Sequence, residues 1–326
     1  MRATGRDRTG GPAPGVPAWY GRRVAEVRLD ELRAAVDARL HGLGFDHRTS
    51  GLIGDHYVDA ELRGASTHGL ERLRWLAGEG GTNPEARPNL LERTEGMSRW
   101  DGNGAVGYVA LADALAAEAM TPLAGARLVV VERCFPTGRL GWFAERMATD
   151  GLVCLLTATS PARIAHPDGG PPFLATSPLC LAIPGTPPAV VDVSMGRITY
   201  GDALAASAAG SPLPPGSGVR PDGSPEDDPA EIRAGRAGIR PFGGEQAHKG
   251  LALAAVVELL VGAVSTGTGF AAVALLAAPR SDAAGRLRGL FDGRRFPGDR
   301  SRARRDAALA RGAIEVPDDL WEWIRR

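Results

Sequence analysis

Four short, unbroken apolar runs in the middle of the chain constrain its fold more than any other feature. They cover residues 126–132, 151–156, 178–183 and 189–193, and a stretch with helical spacing, 141–149, follows the first of them. A strand with one solvent-exposed face alternates apolar and polar residues, whereas a strand covered on both faces is apolar throughout. The runs therefore predict strands buried on both faces, within an α/β fold.

Helical spacing dominates the segments on either side of these runs. Apolar residues recur every three or four positions from Val27 to Leu40, which predicts a helix over 27–44. Helices are also predicted over 50–63, over 105–119 and, in an Arg-rich stretch with a solvated face, over 300–311.

Three further segments have a distinctive composition. Residues 250–280 show long helical patterning, and we expect 251–264 to be a buried helix, since it is too short for a bilayer and contains Glu258. Residues 210–230 are rich in Pro, Gly and Asp, which predicts a loop. Residues 1–18 are rich in Gly, Pro and Arg, and we expect a disordered extension there.

The charge balance argues against two classes of partner. Lys+Arg and Asp+Glu number 38 each, so the chain lacks the basic excess that nucleic acids or anionic membranes require. The three cysteines, Cys134, Cys154 and Cys180, show no metal-binding or disulfide spacing, which favours a reducing cytoplasm. Residues 1–20 lack the apolar core of a signal peptide. We therefore expect a cytoplasmic protein with neither a nucleic-acid nor a membrane partner.

Lys249 is the only lysine among the 38 basic residues. This chain uses Arg wherever any cation would serve, so the remaining lysine indicates a position that requires a compact ammonium group. A surface lysine present by chance is the alternative explanation.

The most informative segment is 63–72, in which His68 follows Thr67 and Arg72 lies four residues further on. In a helix, His68 and Arg72 would share one face. An imidazole can give a proton to a carbonyl that becomes a hydroxyl, and a guanidinium can bind a carboxylate through two hydrogen bonds. These are the requirements of 2-oxo acid reduction. Taken alone, the pair is equally compatible with a locally hydrogen-bonded His and an exposed Arg.

The segment 63–72 resembles the signature RGxxSHGxxR of the type 2 malate/L-lactate dehydrogenase family. That family includes malate, lactate, sulfolactate and ureidoglycolate dehydrogenases and Δ1-piperideine-2-carboxylate reductase. Further motifs match in the same order: 101–107 (DGxxGxG), 138–143 (the end of HxGxxGYY), 166–178 (PxGG…FGTNP), 192–195 (DxxTS), 243–250 (GGxxxxKG) and 297–299 (PGE). The similarity extends over residues 27–326.

The resemblance implies an α/β fold other than the Rossmann fold, and no GxGxxG follows a strand in this sequence. A central mixed sheet would form a NAD(P)-binding domain over 129–284. A helical domain for substrate binding and dimerisation would combine 26–128 with 285–326, after a disordered extension over 1–25. The family binds NADH or NADPH and a small-molecule substrate and forms homodimers; no metal is implied.

The resemblance also assigns roles to residues. His68 would be the proton donor, with Thr67 and Asp192 orienting its imidazole and favouring its protonated form. Arg72, Arg63 and Lys249 would bind the substrate. The residues implied in cofactor binding are Gly138, Gly141, Thr159, Ser160, Ser194, Met195, Gly244, Lys249, Gly298 and Asp299.

Several positions depart from the family pattern. Pro136 replaces the histidine of HxG, Cys134 replaces a nearby serine, and Ser177 replaces the asparagine of GTNP. Retained catalytic residues in a changed pocket predict hydride transfer to a 2-oxo acid or related carbonyl, in a specialised biosynthetic pathway. A cyclic imine reductase is the alternative, because an imine can arrive already protonated. A non-catalytic homologue that serves as a binding subunit is the third possibility.

Overall fold

The structure, a computed structural model, describes residues 23–78 and 83–326. Its strands are β1 (Val24–Arg28), β2 (Asn89–Arg93), β3 (Met97–Asp101), β4 (Ala126–Glu132), β5 (Val153–Ala158), β6 (Ile164–His166), β7 (Gly169–Leu174), β8 (Leu179–Ile183), β9 (Ala189–Val193), β10 (Gly218–Val219), β11 (Pro225–Glu226), β12 (Gly238–Ile239), β13 (Ala272–Ala277) and β14 (Ala313–Pro317). Its helices are α1 (Leu29–Gly42), α2 (His47–Leu62), α3 (Glu71–Gly78), α4 (Gly107–Ala119), α5 (Leu140–Thr149), α6 (Tyr200–Ala209), α7 (Pro229–Arg233), α8 (Ala247–Val264), α9 (Ala283–Leu290), α10 (Asp299–Arg311) and α11 (Asp318–Arg325).

A seven-stranded mixed sheet forms the centre of the fold, in the order β2-β3-β4-β13-β5-β8-β9. β13 is antiparallel to both of its neighbours, β8 is antiparallel to β5 and to β9, and β3 is parallel to β4. It follows that β3, β4, β5 and β9 all run in the same direction. Their carboxyl ends meet at one edge of the sheet, where open α/β sheets bind their ligands.

The four apolar runs of the sequence are the strands β4, β5, β8 and β9, as predicted. In β4, Val129 and Val131 belong to the large core that also contains α2, α4 and α5, whereas Val130 packs against Val257 and Val261 of α8 on the other face. Consecutive residues of one strand are therefore all buried. This confirms the expectation of a strand covered on both faces.

The helical prediction for residues 250–280 is wrong at its end. Residues 272–277 form β13, which fills the slot between β4 and β5 with a six-residue register on each side. The Ala/Leu-rich sequence AVALLA has no strong β propensity, so the hydrogen bonds of two flanking strands determine its conformation.

The helix α8 is also less buried than predicted. It packs on the sheet through one narrow face, while Leu253, Val256, Leu259 and Leu260 are exposed, and Leu259 is 72% accessible. By length and composition alone, Gly244–Val264 could cross a membrane. Its contacts with β5 and β7 join it to the central and the smaller sheet.

The two ends of the described chain meet. β1 pairs with β14, α1 packs against α11, and α10 packs against α2. The predicted extension over 1–25 lies outside the described residues, except that residues 23–25 lead into or belong to β1. A smaller sheet, β11-β10-β12-β6-β7, includes two short strands inside the predicted 210–230 loop. The predicted boundary at 128/129, between the helical domain and the NAD(P)-binding domain, stays a proposal. The strands β2 and β3 precede this boundary and extend the central sheet.

Candidate active site

A cleft of about 790 Å³ lies at the carboxyl ends of β4, β5 and β9. Its walls include the segments that follow β4, β5 and β9 and the turn before α3. The lining residues on which the following argument rests are Thr67, His68, Arg72, Trp75, Tyr108, Phe135, Pro136, Gly138, Arg139, Thr159, Ser160, Arg163, Asp192, Ser194 and Arg300. The volume is in the range of small-molecule and cofactor sites.

His68 ends a short 3-10 helix, Ser66–His68, at the centre of this lining. The Thr67 hydroxyl oxygen lies 3.1 Å from His68 Nδ1, within hydrogen-bond distance, so that Nε2 is left for another partner. Gly201 allows α6 to pack on this turn, because a Cβ there would lie 2.5 Å from Thr67 Cβ. The backbone after the turn is held by Glu61, whose carboxylate accepts a hydrogen bond from Leu70 N at 3.0 Å.

The imidazole of His68 is neutral at physiological pH. Burial, which disfavours the charged imidazolium, lowers its pKa to about 3, and the positive charges of Arg72 and Arg139 contribute to the shift by repulsion. The expectation that its surroundings favour the protonated form is therefore wrong for the free protein.

Arg72 lines the cleft, but not on the helical face shared with His68 that the four-residue spacing predicts. The 3-10 helix ends at His68 and α3 starts at Glu71, so His68 and Arg72 do not share one helix. Instead Arg72 Nε donates to Thr67 O at 3.1 Å, which fixes the guanidinium beside the turn that contains His68. The remaining guanidinium nitrogens are available for a carboxylate.

Asp192, near the end of β9, lies across the cleft. Its Oδ2 accepts a hydrogen bond from Gly141 N at 2.7 Å. Enclosure by protein atoms raises the pKa of this carboxyl, although Arg139 and the Gly141 amide oppose the rise. Within the described chain no hydrogen bond joins Asp192 to His68, so the direct relay implied by the resemblance is not formed in this structure.

Arg139 is a cleft residue that the sequence analysis did not single out. Arg139 Nη2 binds Asp59 Oδ2 at 2.8 Å, and a Cβ on Gly141 would lie 2.5 Å from Arg139 Nη1 and 2.9 Å from Asp192 Oδ2. The guanidinium and the Asp192 carboxylate therefore both border Gly141. Because so many arginines occur in this chain, its position inside the Gly138–Phe143 motif was the only signal available.

Asp59, on α2, holds three arginines. It binds Arg63 Nε, Arg139 Nη2 and Arg305 Nε, each at 2.8 Å. These arginines belong to α2, to the cleft loop before α5 and to α10. One carboxylate thus connects the cleft loop to α10.

Arg63 is not brought to the cleft. It is buried, and its guanidinium binds both Asp59 and Glu145 at 2.8 and 2.5 Å. The substrate-binding role implied by the resemblance is therefore wrong in this structure, since two acidic groups already occupy the guanidinium.

Lys249 and Gly244 also lie away from the cleft lining. Both are exposed near the start of α8, where the buried Ala247 and Gly250 face the protein interior and leave Lys249 on the outer side. The structure therefore gives no contact between Lys249 and the His68 turn, and its role stays a proposal based on the resemblance.

The remaining predicted cofactor residues fall into two groups. Gly138, Thr159, Ser160 and Ser194 line the cleft directly. Gly141, Met195, Gly298 and Asp299 border or support it: Gly141 holds Asp192, Met195 is buried, and Gly298-Asp299 begins α10 immediately before the lining residue Arg300.

Gly138 shows how closely the cleft loop is packed. Its φ is +65°, and a Cβ would lie 2.4 Å from Tyr108 Cε1 and 2.5 Å from His56 Nε2. His56 is fully buried and its Nε2 accepts a hydrogen bond from Arg139 N at 3.1 Å, while burial and then Arg139 keep its pKa well below the usual value. The neutral imidazole therefore supports the loop that carries Arg139.

We expect Gly138→Ala to destabilise the protein by at least about 2 kcal/mol, from left-handed strain and from displacement of the loop. Thermal unfolding and cofactor titration measure both effects. Gly210→Ala is the matched control, because its φ is +61° and nothing lies within 4 Å of the added Cβ. Equal losses of stability in the two variants would show that the contacts with Tyr108 and His56 are unimportant.

Comparison with known proteins agrees with this geometry. The family model described as malate/L-lactate dehydrogenase matches residues 27–296. A Δ1-pyrroline-2-carboxylate/Δ1-piperideine-2-carboxylate reductase of Pseudomonas putida is 31% identical over 252 residues, which cover 75% of this chain and 72% of the relative. The (2R)-3-sulfolactate dehydrogenase (NADP(+)) of Chromohalobacter salexigens is 30% identical over 254 residues, covering 75% and 73%.

Solved structures show the same fold. A dehydrogenase from Sinorhizobium meliloti has a TM-score of 0.79 and 28% identity, and covers 92% of this chain and 97% of that chain. The Δ1-piperideine-2-carboxylate reductase from Pseudomonas syringae has a TM-score of 0.78 and 25% identity, with 92% and 99% covered.

Fold, cleft and relatives together define the class of protein as an oxidoreductase that uses a nicotinamide cofactor. The chain belongs to the malate/L-lactate dehydrogenase family. The resemblance drawn from the motifs is confirmed, and so is a mixed α/β fold of this family's type.

Proposed function

We propose that the protein interconverts a 2-oxo acid and the corresponding 2-hydroxy acid, with His68 as the group that gives or takes the proton. One observation carries this proposal: the Thr67–His68 turn and Arg72 are joined by the Arg72 Nε to Thr67 O hydrogen bond, within one cleft. A substrate carboxylate on Arg72 places the adjacent carbonyl next to the imidazole.

The chemistry follows from the charges of these residues. When bound, the nicotinamide cofactor supplies or accepts the hydride at the substrate carbon. Arg72 holds the carboxylate, and that negative charge offsets the guanidinium that lowers the pKa of His68. In reduction, His68 gives its proton to the carbonyl oxygen; in oxidation, neutral His68 removes the proton from the hydroxyl.

Cyclic imine reduction is the second candidate, and one observation favours it. A pKa of about 3 leaves His68 neutral, and a protonated imine needs no proton from the enzyme at the hydride-transfer step. Against it, Arg72 and Arg139 both raise the energy of a cationic substrate in the same cleft. A non-catalytic binding subunit has no support, since the relatives described above carry the names of enzymes.

The cleft fits a dinucleotide. Arg163, stacked on Tyr200 at 3.9 Å, and Arg300 line it, and neither is paired with a carboxylate among the described residues. Both are suited to bind phosphate groups. We propose that they favour NADPH, the more highly charged cofactor, over NADH.

A screen of substrates tests the proposed reaction. NADPH or NADH consumption is followed with 2-oxo acids and with cyclic imine carboxylates, after each cofactor has been titrated by nicotinamide fluorescence. Turnover of 2-oxo acids with NADPH supports the proposal. Turnover of imines alone would replace it with the second candidate, and failure to bind either cofactor contradicts both.

We further propose a cytoplasmic homodimer that works in a specialised biosynthetic pathway. Three buried free thiols are compatible with a reducing compartment, and the altered residues Cys134, Pro136 and Ser177 support a specialised substrate. The exposed apolar face of α8 supports a subunit interface. Lys249 precedes Leu253 by one helical turn and would lie at the edge of that interface.

We expect Leu259→Glu to shift the protein from dimer to monomer, since a carboxylate at a buried apolar contact is strongly unfavourable. Size-exclusion chromatography with light scattering measures the mass. Leu290→Glu is the control, because Leu290 on α9 is equally exposed, at 77%, and lies outside the α8 face. A monomeric wild type, or a dimeric Leu259→Glu variant, contradicts this interface.

A further inference from the structure

One wall of the cleft is apolar. Trp75, Phe135 and Pro136 line it. The Trp75 and Phe135 rings pack edge to face with centroids 6.2 Å apart, and Phe270 supports Phe135 at 5.2 Å. The motif resemblance implies a histidine at the position of Pro136. The substitution thus removes a polar group from a continuous aromatic and aliphatic surface.

This wall begins at the carboxylate-binding end of the cleft. The Arg72 guanidinium carbon lies 5.8 Å from the Trp75 ring centre, and the hydrogen bond to Thr67 O fixes the guanidinium. A substrate whose carboxylate sits on Arg72 therefore has the Trp75–Phe135 surface within one side-chain length. His68, beside Thr67, lines the same cleft.

The wall is separate from the polar strand ends proposed for the cofactor. Phe135 and Pro136 follow β4, whereas Ser194 follows β9, and four strand spacings of roughly 4.8 Å separate these strands. Thr159 and Ser160 follow β5, between them. The dinucleotide and the apolar wall can accordingly occupy different parts of one cleft.

The wall also remains partly accessible to solvent. Phe135 is 37% exposed and Trp75 is only partly buried, although both are aromatic and lie inside a concave site. Large apolar side chains left accessible in a cleft are typical of ligand-binding surfaces. Trp75 also packs against the large core, but part of its side chain stays accessible.

We propose that Trp75, Phe135 and Pro136 form a subsite for a large apolar side chain of the substrate, of branched aliphatic or aromatic type. This inference rests on the proposed 2-oxo acid activity and assigns its substrate class. The side chain lies on the aromatic wall, the carboxylate on Arg72 and the carbonyl oxygen at His68. This wall offers no cation, so a second anionic group of the substrate at that position would remain uncompensated.

The test compares kcat/KM for pyruvate, 4-methyl-2-oxopentanoate, phenylpyruvate and oxaloacetate with NADPH. We expect phenylpyruvate or 4-methyl-2-oxopentanoate to exceed pyruvate by about 100-fold, from burial of the larger side chain. Phe135→Ala and Trp75→Ala should lower that ratio at least tenfold. Pro136→His, which restores the family residue, should lower it as well.

Phe173→Ala is the matched control, because Phe173 is exposed on β7 and does not line the cleft; its ratio should equal that of the wild type. The subsite is overturned if oxaloacetate is the best substrate, or if Phe135→Ala lowers kcat/KM equally for all four substrates. Neither result contradicts the proposed reaction. No turnover of any 2-oxo acid, together with turnover of a cyclic imine, overturns the proposed reaction itself.

Discussion

His68→Ala is expected to lower kcat for 2-oxo acid reduction about 10²- to 10⁴-fold, the usual contribution of a positioned general acid. Among the described residues, His68 is the imidazole that lines the cleft, and Thr67 on its Nδ1 leaves Nε2 to face the substrate. Cofactor affinity should be unchanged, because Arg163 and Arg300, the arginines proposed to bind phosphate, are untouched. Steady-state turnover and fluorescence titration separate the two effects.

The pH dependence of the wild type adds a check on the same residue. A group with a pKa of about 3 is neutral at higher pH and becomes protonated as the pH falls. Reduction requires the protonated form, so its kcat/KM should rise as the pH is lowered. Oxidation requires the neutral form and should not depend on this group between about pH 5 and 8.

His166→Ala is the control for His68→Ala, because His166 is exposed, pairs loosely with Asp168 at 3.6 Å and does not line the cleft. If His68→Ala retains turnover within about tenfold of the wild type, a general acid–base role for His68 is ruled out. Loss of cofactor binding in His68→Ala would instead indicate a structural role for the turn.

Asp59→Asn should destabilise the protein by about 3 kcal/mol, because it leaves three guanidinium groups around a neutral, largely buried side chain. Burial raises the pKa of Asp59, but Arg139 and Arg63 outweigh it, and the pKa lies below its ordinary value. Urea or thermal unfolding measures the loss. Activity should also fall, since Arg139 loses the carboxylate that fixes it beside Asp192.

The sign of the pH effect on Asp59 follows from that lowered pKa. Its stabilisation is present above the ordinary carboxyl pKa of about 4 and is lost as the pH falls through the lower folded-state value. The difference in unfolding free energy between the wild type and Asp59→Asn should therefore shrink below about pH 4. Asp113→Asn is the control: Asp113 pairs with one partly exposed arginine, Arg48, and should cost under about 1 kcal/mol. Comparable losses in the two variants would contradict the role of Asp59.

Local sequence patterns predicted those parts of the fold whose conformation depends on neighbouring residues. The apolar runs became β4, β5, β8 and β9, and the spacing of Leu32, Val36 and Leu40 gave the buried face of α1. The strand β13 was missed, because an Ala/Leu-rich run is compatible with either conformation and only its two neighbours decide. The exposed face of α8 was missed because periodicity does not reveal which apolar residues find a partner.

The candidate site divides in the same way. His68, Thr67 and Arg72 lie within one short segment, so the sequence motif alone predicted that they belong to one site. Local sequence patterns could not predict ion pairs between segments that are distant in the sequence. Arg63 was assigned to the substrate, yet Asp59 and Glu145 bind it, and Lys249 was assigned to the site, yet α8 turns it outward.

The sequence by itself determined the family, the α/β class and the His68 turn, because those properties reside in contiguous motifs and in periodicity. Only the tertiary structure decided what surrounds His68: burial and two guanidinium groups that keep it neutral, an Asp192 close to Arg139, and an apolar wall of Trp75 and Phe135. The physical reason is that charge and dielectric act through space. A residue's pKa and its ligand depend on groups that the chain brings together from segments far apart in sequence.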